Sequence, residues 1–291
     1  MFWQQLINGL TLGSIYALIA LGYTMVYGII LLINFAHGDV YMVGAFIGLL
    51  LALTFNVNVF VAIGGAMLVC ALLGVLIEKL AYRRLRSASR LSALISAIGV
   101  STFLSTLMVL IHGPDTHAFP AETFAMVSYN LGSIQVSNMQ VFILVVSALL
   151  MLGLQLLVKK TKIGLAMRAC SQDIEAAALM GINVNRVISF TFALGSALAA
   201  AGGVLVGIYY SAVEPYMGVI VGLKAFAAAV LGGIGSIPGA MLGGFLLGIM
   251  ENFSIAYLAS SYKDAIAFGI LIVVLILRPQ GLLGKSIAKK V

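Results

Sequence analysis

Charge is what this 291-residue sequence has least of. Asp, Glu, Lys and Arg make up 9% of it, against roughly 25% in a soluble domain. With 62% hydrophobic residues and a mean hydropathy of +1.15, a water-soluble fold is excluded. Cysteine is nearly missing, at two residues, which excludes a disulfide framework. Cys70 lies in an apolar run and Cys170 in a basic loop. The opening MFWQQLINGL has no basic residue, so it reads as the start of a permanent span and not as a cleaved signal peptide. The three histidines, His37, His112 and His117, lack metal-ligand spacing. No Ser-His-Asp or Cys-His grouping is apparent, so the sequence offers no argument for an enzyme and no metal site. Strand-like alternation is also absent. Of the two structures that satisfy their backbone in lipid, helices and closed barrels, helices remain.

Long apolar runs fill the chain. Nine segments stand out, at 6–30, 35–54, 59–82, 92–111, 138–158, 187–210, 217–233, 238–258 and 264–278. The expected fold class is an all-α polytopic membrane protein, one transmembrane domain over 1–291, with 8–9 spanning helices. Segments two and seven are short or interrupted and read as candidates for broken or re-entrant helices. The net charge of +7 is placed between spans. Arg83, Arg84, Arg86 and Arg90 form one cluster, Lys159, Lys160, Lys162, Arg168 and Arg186 a second, and Arg278, Lys285, Lys289 and Lys290 a third. Such placement is the positive-inside pattern and expresses topology, not nucleic-acid binding. It puts the 83–90 loop, the 159–186 loop and the C-terminus in the cytoplasm and the N-terminus outside. The 112–137 loop, with Asp115 and Glu122 but no Lys or Arg, is then outside.

Glycine is plentiful, at 32 residues. GLTLG (9–13), GAFIG (44–48), GVLVG (203–207), GVIVG (218–222), GSIPG (235–239), GAMLG (239–243) and GFLLG (244–248) repeat the small-xxx-small pattern of close helix packing in lipid. They read either as tight packing or as a path lined by backbone. LGSIYALIALGY from Leu12 resembles LGSALAAAGGVL from Leu194, and VGAF (43–46) loosely matches LKAF (223–226). The polar breaks NFAHGD (34–39) and VEPYMG (213–218) separate the paired stretches. On the topology above the two copies would form an inverted repeat. Two tempting motifs fail. GLLGKS (281–286) has Pro279 where a phosphate loop needs its first glycine, and GGIGSIPG (232–239) does not fit a dinucleotide loop.

Ionisable groups at membrane depth are costly and mark candidates. They are His37 and Asp39, with Asn34 in the same break, then Lys224 and Glu251. The break reads as a capped helix start near the cytoplasmic surface or as a ligand site. Lys224 and Glu251 read as a mutually neutralising pair or as substrate contacts. Glu78, beside Lys79 at a helix end, reads as snorkelling to the interface. The 159–186 loop holds a different signal, SQDIEAAALMGIN (171–183). Ser171 suits an N-cap, Asp173 and Glu175 a first turn, and Gly181 a C-cap. Ile174, Ala177 and Ala178 share one face. A helix this short needs a surface to pack on, its own chain's or a partner's.

GLAMRACSQDIEAAALMGIN (164–183) resembles the cytoplasmic coupling loop of permease subunits, LivH type, from bacterial ABC importers for branched-chain amino acids. The likeness extends over TLGSIYALIALGYTMVYGIILLINFAHGDVYMVGA (11–45), IEKLAYRRLRSASRLSALISAIG (77–99) and GLKAFAAAVLGGIGSIPGAMLGGFLLGI (222–249). Lys79 and Arg84 depart from that pattern, where Arg and Pro are expected, and the 112–137 loop matches poorly. The resemblance implies a second, different permease subunit, two cytoplasmic ATPase subunits and a periplasmic amino-acid-binding protein. It implies residence in the bacterial inner membrane and carriage of leucine, isoleucine and valine. It also implies that Ser171, Asp173, Ile174, Glu175, Ala177, Ala178 and Gly181 couple to an ATPase, with ATP bound by the partners and no cofactor here. Two rivals remain. An ion-driven carrier would use His37, Asp39, Lys224 and Glu251, and a membrane enzyme would need a convergent site.

Overall fold

Backbone groups in lipid have only their own helix to bond to, and each apolar segment folds accordingly. The computed structural model describes residues 1–86, 88–120, 124, 127–132 and 134–284. Lys285, Lys289, Lys290 and Glu122 lie outside them. The spans are α1 (Phe2–Ile30), α2 (His37–Phe55), α3 (Val59–Ile77), α4 (Arg90–His112), α5 (Asn138–Lys160), α8 (Val184–Tyr209), α9 (Met217–Gly232), α10 (Ile237–Tyr257) and α11 (Lys263–Leu277). Among the described residues eight helical stretches are long and apolar enough to cross a bilayer, α11 counting with the 3-10 turn before it as 260–277, and α9, at 16 residues, is shorter. The chain is an all-α polytopic membrane protein. Between α5 and α8 the basic loop carries two short helices, α6 (Lys162–Gln172) and α7 (Ile174–Leu179).

Local signals explain most boundaries. Asn58, Ser89, Ser137, Asn183 and Ser236 each accept a backbone N–H as helix caps, and Ser137 forms a reciprocal box with Gln140. Pro238 occupies the first turn of α10, where a missing N–H costs nothing.

The two ends of the bundle differ. At one, β1 (His117–Ala118) pairs with β4 (Ala212–Val213), β2 (Ser128–Leu131) pairs with β3 (Ile134–Ser137), and Gln4 bonds the backbone of Gln135. At the other, Arg86 reaches Asn185, and the segment after α11 bonds the end of α9 through Leu282 and Leu283. Arg83, Arg84, Arg86, the α6–α7 loop and Arg278 therefore share one end, and the N-terminus lies at the opposite one.

The packing repeats. α1 lies along α10 as α8 lies along α3; α2 rests on α8 as α9 rests on α1; α4 flanks α2 as α11 flanks α9. α1 runs towards the basic end and α8 away from it, so the second copy is inverted. Leu31 (φ 54°) and Ser211 (φ 52°) are left-handed residues that follow the first helix of each copy. The first turns of α2 and α9 meet, with a Cβ on Gly222 standing 2.8 Å from Gly38 Cα. α1 and α10 close on a seam of glycines, Gly9 and Gly13 against Gly244 and Gly248. There a Cβ on Gly9 would stand 2.6 Å from Ile249 Cα, a distance no side chain tolerates.

Candidate functional site

The residues singled out by sequence fall into three places. The first is the 159–186 loop. It is more ordered than the sequence implied, because Thr161 caps an additional helix, α6, whose Gly164, Met167 and Cys170 are buried. Burial pushes the Cys170 thiol pKa up. Ser171 is therefore not the cap of the next helix. It sits in the last turn of α6, donates to Arg168 O at 2.8 Å, and lines a small cavity of about 80 Å³ with Thr24 and Met167. Asp173 is the cap, since its Oδ1 accepts from Glu175 N and Ala176 N, both at 3.0 Å. α7 is consequently only six residues long.

Its C-terminus is as the glycine indicated. Gly181 has φ +81°, with Gly181 N bonded to Ala178 O and Ile182 N to Ala177 O. That is a Schellman ending, which an L side chain would strain. Of the expected face, Ala177 is buried, while Ile174 and Ala178 stay exposed with Glu175. Missed from sequence were Leu179 and Met180, which are 89% and 82% exposed. They form an apolar tip at the basic end, where a polar loop gains nothing from showing them to water.

The second place is the interior. α2 starts inside the bundle, not at its surface: His37 packs against Gly22 of α1 and near Gly195 of α8, with its ring 4.8 Å from Tyr23. His37 Nε2 lies 3.2 Å from Ile19 O. Asn34 is buried and accepts from Tyr82 OH at 3.0 Å. Asp39 sits in the first turn of α2, where the helix dipole favours it. One of its carboxylate oxygens has no hydrogen-bond partner among the described residues. The N-cap of α2 is Ala36, which makes no side-chain cap bond, so the capped start near the surface is not what forms.

Lys224 and Glu251 do pair, at 2.7 Å, and both side chains are buried. Two residues join them that sequence did not single out. Asp264 of α11, whose side chain is 43% exposed, forms an ion pair with Lys224 at 2.6 Å, and Tyr16 of α1 donates to Glu251 at 2.8 Å. The cluster links four helices from both copies. It does not reach His37 or Asp39 by any described hydrogen bond or ion pair.

The third place is Glu78. It does not snorkel. A π-helical turn, Glu78–Tyr82, and a 3-10 turn, Arg83–Leu85, fold the chain back so that Arg83 and Arg86 both clasp its buried carboxylate. Ser189 of α8 donates to it at 2.8 Å, and Arg86 donates to Asn185 at 2.7 Å. This clamp ties the end of α3 to the first turns of α8, immediately after α7. Among the described residues no group of three His, Cys, Asp or Glu is placed to hold a metal.

Comparison with known proteins agrees with this architecture. The family described as branched-chain amino acid transport system / permease component matches residues 5–275. The chain is 46% identical to the high-affinity branched-chain amino acid transport system permease protein LivH of Salmonella typhimurium, covering 100% of this chain and 98% of that one. It is 47% identical to BraD of Pseudomonas aeruginosa over the same shares. Among solved structures, PsaBC from Streptococcus pneumoniae in complex with Fab resembles it in fold, with a TM-score of 0.52 at 14% identity over 96% of this chain and 93% of that one. A nine-segment helical bundle matched along almost its whole length leaves one assignment: the chain belongs to the branched-chain amino acid transport system permease family.

Proposed function

We propose that this chain is one permease subunit of an ATP-driven importer and carries leucine, isoleucine and valine across a bacterial inner membrane. The full-length likeness to LivH and BraD carries the reading. The positive-inside pattern favours the basic end as the cytoplasmic one, with the N-terminus outside. In this reading a second, different permease completes the pathway, a periplasmic binding protein supplies the amino acid, and two ATPase subunits dock below. Asn34, His37 and Asp39 are candidates for the pathway, at the meeting point of α2 and α9. Lys224 and Glu251 serve as a neutralised structural centre.

The coupling element is the α6–α7 elbow. Asp173 and Gly181 fix its two ends, Ala177 seats it, and Ile174, Glu175, Ala178, Leu179 and Met180 face outward for a partner's cleft. α7 runs into α8, and the Glu78 clamp joins α8 to α3, so a displacement of the elbow is delivered to one pair of core helices. A partner shifts this equilibrium only through contacts that differ between the two permease states.

The test is leucine, isoleucine and valine uptake in vesicles holding the complete transporter. Uptake is expected to follow internal ATP and to survive collapse of the proton gradient. Uptake that instead follows the ion gradient would establish the carrier alternative. Glu175→Lys is expected to leave insertion intact and to impair uptake, and normal uptake would remove Glu175 from the docking face.

A further inference from the structure

A cleft of about 610 Å³ opens between the end of α3 and the first turns of α8, at the basic end. Three cations, Lys79, Arg83 and Arg186, converge on it, and Asn183, Asn185 and Ser189 add amide and hydroxyl groups. Arg83 is already partnered by Glu78. No ion pair among the described residues involves Lys79 or Arg186. No Asp or Glu is among the described residues that line the cleft, and the neighbouring Glu78 is overcompensated by Arg83 and Arg86, so the cleft is positive. The positive end of the 26-residue helix α8 points into the same space.

The upper wall is different. Val75, Phe190 and Ala193 line it, one to three turns deeper along α3 and α8. The neighbouring stripe, Leu72 and Leu76 of α3 continued by Leu80 of the π-helical turn, is exposed on the outer surface of the bundle. A cationic floor at the depth where spans end, under an apolar wall that opens sideways towards lipid, has the polarity of a membrane phospholipid.

We infer that this cleft binds the headgroup of an anionic phospholipid, with its phosphodiester on Lys79, Arg83 and Arg186 and an acyl chain against Val75, Phe190 and Ala193. The volume suits a glycerol phosphodiester. Guanidinium groups hold a phosphate by paired N–H donors, and basic pockets between helices on the cytoplasmic side select anionic headgroups. A bound lipid would brace the α3–α8 junction beside the Glu78 clamp.

The experiment is native mass spectrometry of the complete transporter, purified in mild detergent with phosphatidylglycerol or phosphatidylcholine added. Phosphatidylglycerol is expected to stay bound and phosphatidylcholine to leave. Lys79→Gln with Arg186→Gln is expected to reduce retention by about thirty-fold, given the strength of each cation's attraction to an anionic surface. Arg186→Lys keeps the charge and is expected to keep most of the lipid. Ala193→Trp fills the wall without touching a charge and is expected to lower retention as well. Equal retention of the two lipids, or unchanged phosphatidylglycerol in both the double variant and Ala193→Trp, would overturn the inference. Displacement of the lipid by millimolar inorganic phosphate would overturn it too, because the ligand would then be phosphate alone. So would a double variant that keeps the lipid but loses the ATPase subunits, since the cleft would then be a protein contact.

Discussion

Two buried carboxylates in this molecule have opposite company. Glu78, at the basic end, is clasped by two arginines, whose side chains are 36% and 20% exposed. Glu251, in the interior, shares a single lysine with Asp264. The clamp therefore has cations to spare and the interior cluster has carboxylates to spare. The clamp's cations reach the surface, whereas the Lys224 side chain is buried and, of its two partners, only Asp264 is partly exposed. Charges in low dielectric have no substitute for a lost partner, while charges at an edge rehydrate.

The largest effect tests the interior member of that contrast. Lys224→Ala leaves Glu251 buried and uncompensated and is expected to cost about 3–5 kcal/mol, read as a lower unfolding midpoint or as loss of assembled protein. Lys224→Met combined with Glu251→Leu and Asp264→Asn is expected to recover much of that stability. A single variant as stable as the parent would erase the distinction. Glu78→Ala frees two arginines that reach solvent, so about 1–3 kcal/mol is expected; a loss as large as that of Lys224→Ala would place both clusters in one class.

Smaller still in stability is the exposed tip. Leu179→Asp with Met180→Asp is expected to change the unfolding midpoint by no more than about 0.5 kcal/mol, yet to lower ATP-driven uptake at least tenfold. Unchanged uptake would take the tip out of the docking surface. The gentlest probe is thiol labelling. Cys70 and Cys170 are both buried, and the Cys170 pKa lies above the ordinary thiol value because burial disfavours the thiolate. Its maleimide labelling is expected to be slow at pH 7, to accelerate as pH rises, and to precede that of the interior Cys70. Rapid labelling of both at pH 7 would mean the loop opens readily.

The spans were legible because hydropathy is a sum over many residues and no single contact decides it. The glycine signals were legible for the same reason: Gly181 and the Gly9–Gly13 seam act through backbone geometry that only glycine permits. What failed was decided at a distance. Tyr16 and Glu251 are 235 residues apart, and nothing local in TLGSIYALI marks a partner for a carboxylate. Glu78 read as a solvated end group because the π-helical turn that brings Arg83 and Arg86 back to it has no sequence signature of its own. α6 was hidden because its Lys and Arg residues read as a loop, although Gly164, Met167 and Cys170 lie on one helical face. Moving the cap from Ser171 to Asp173 follows from that omission, since a helix that ends at Gln172 leaves Asp173 as the next residue able to cap.

The glycine seam between α1 and α10 has a consequence for biogenesis. α1 leaves the ribosome more than 200 residues before α10. For most of synthesis the bare backbone of Gly9 and Gly13 therefore has only lipid, or the insertion machinery, beside it. A chain truncated before α10 leaves the glycine face of α1 uncovered, while the folded chain buries the same surface. Closure of the seam thus waits on α10, so this close helix contact of the bundle forms late in assembly.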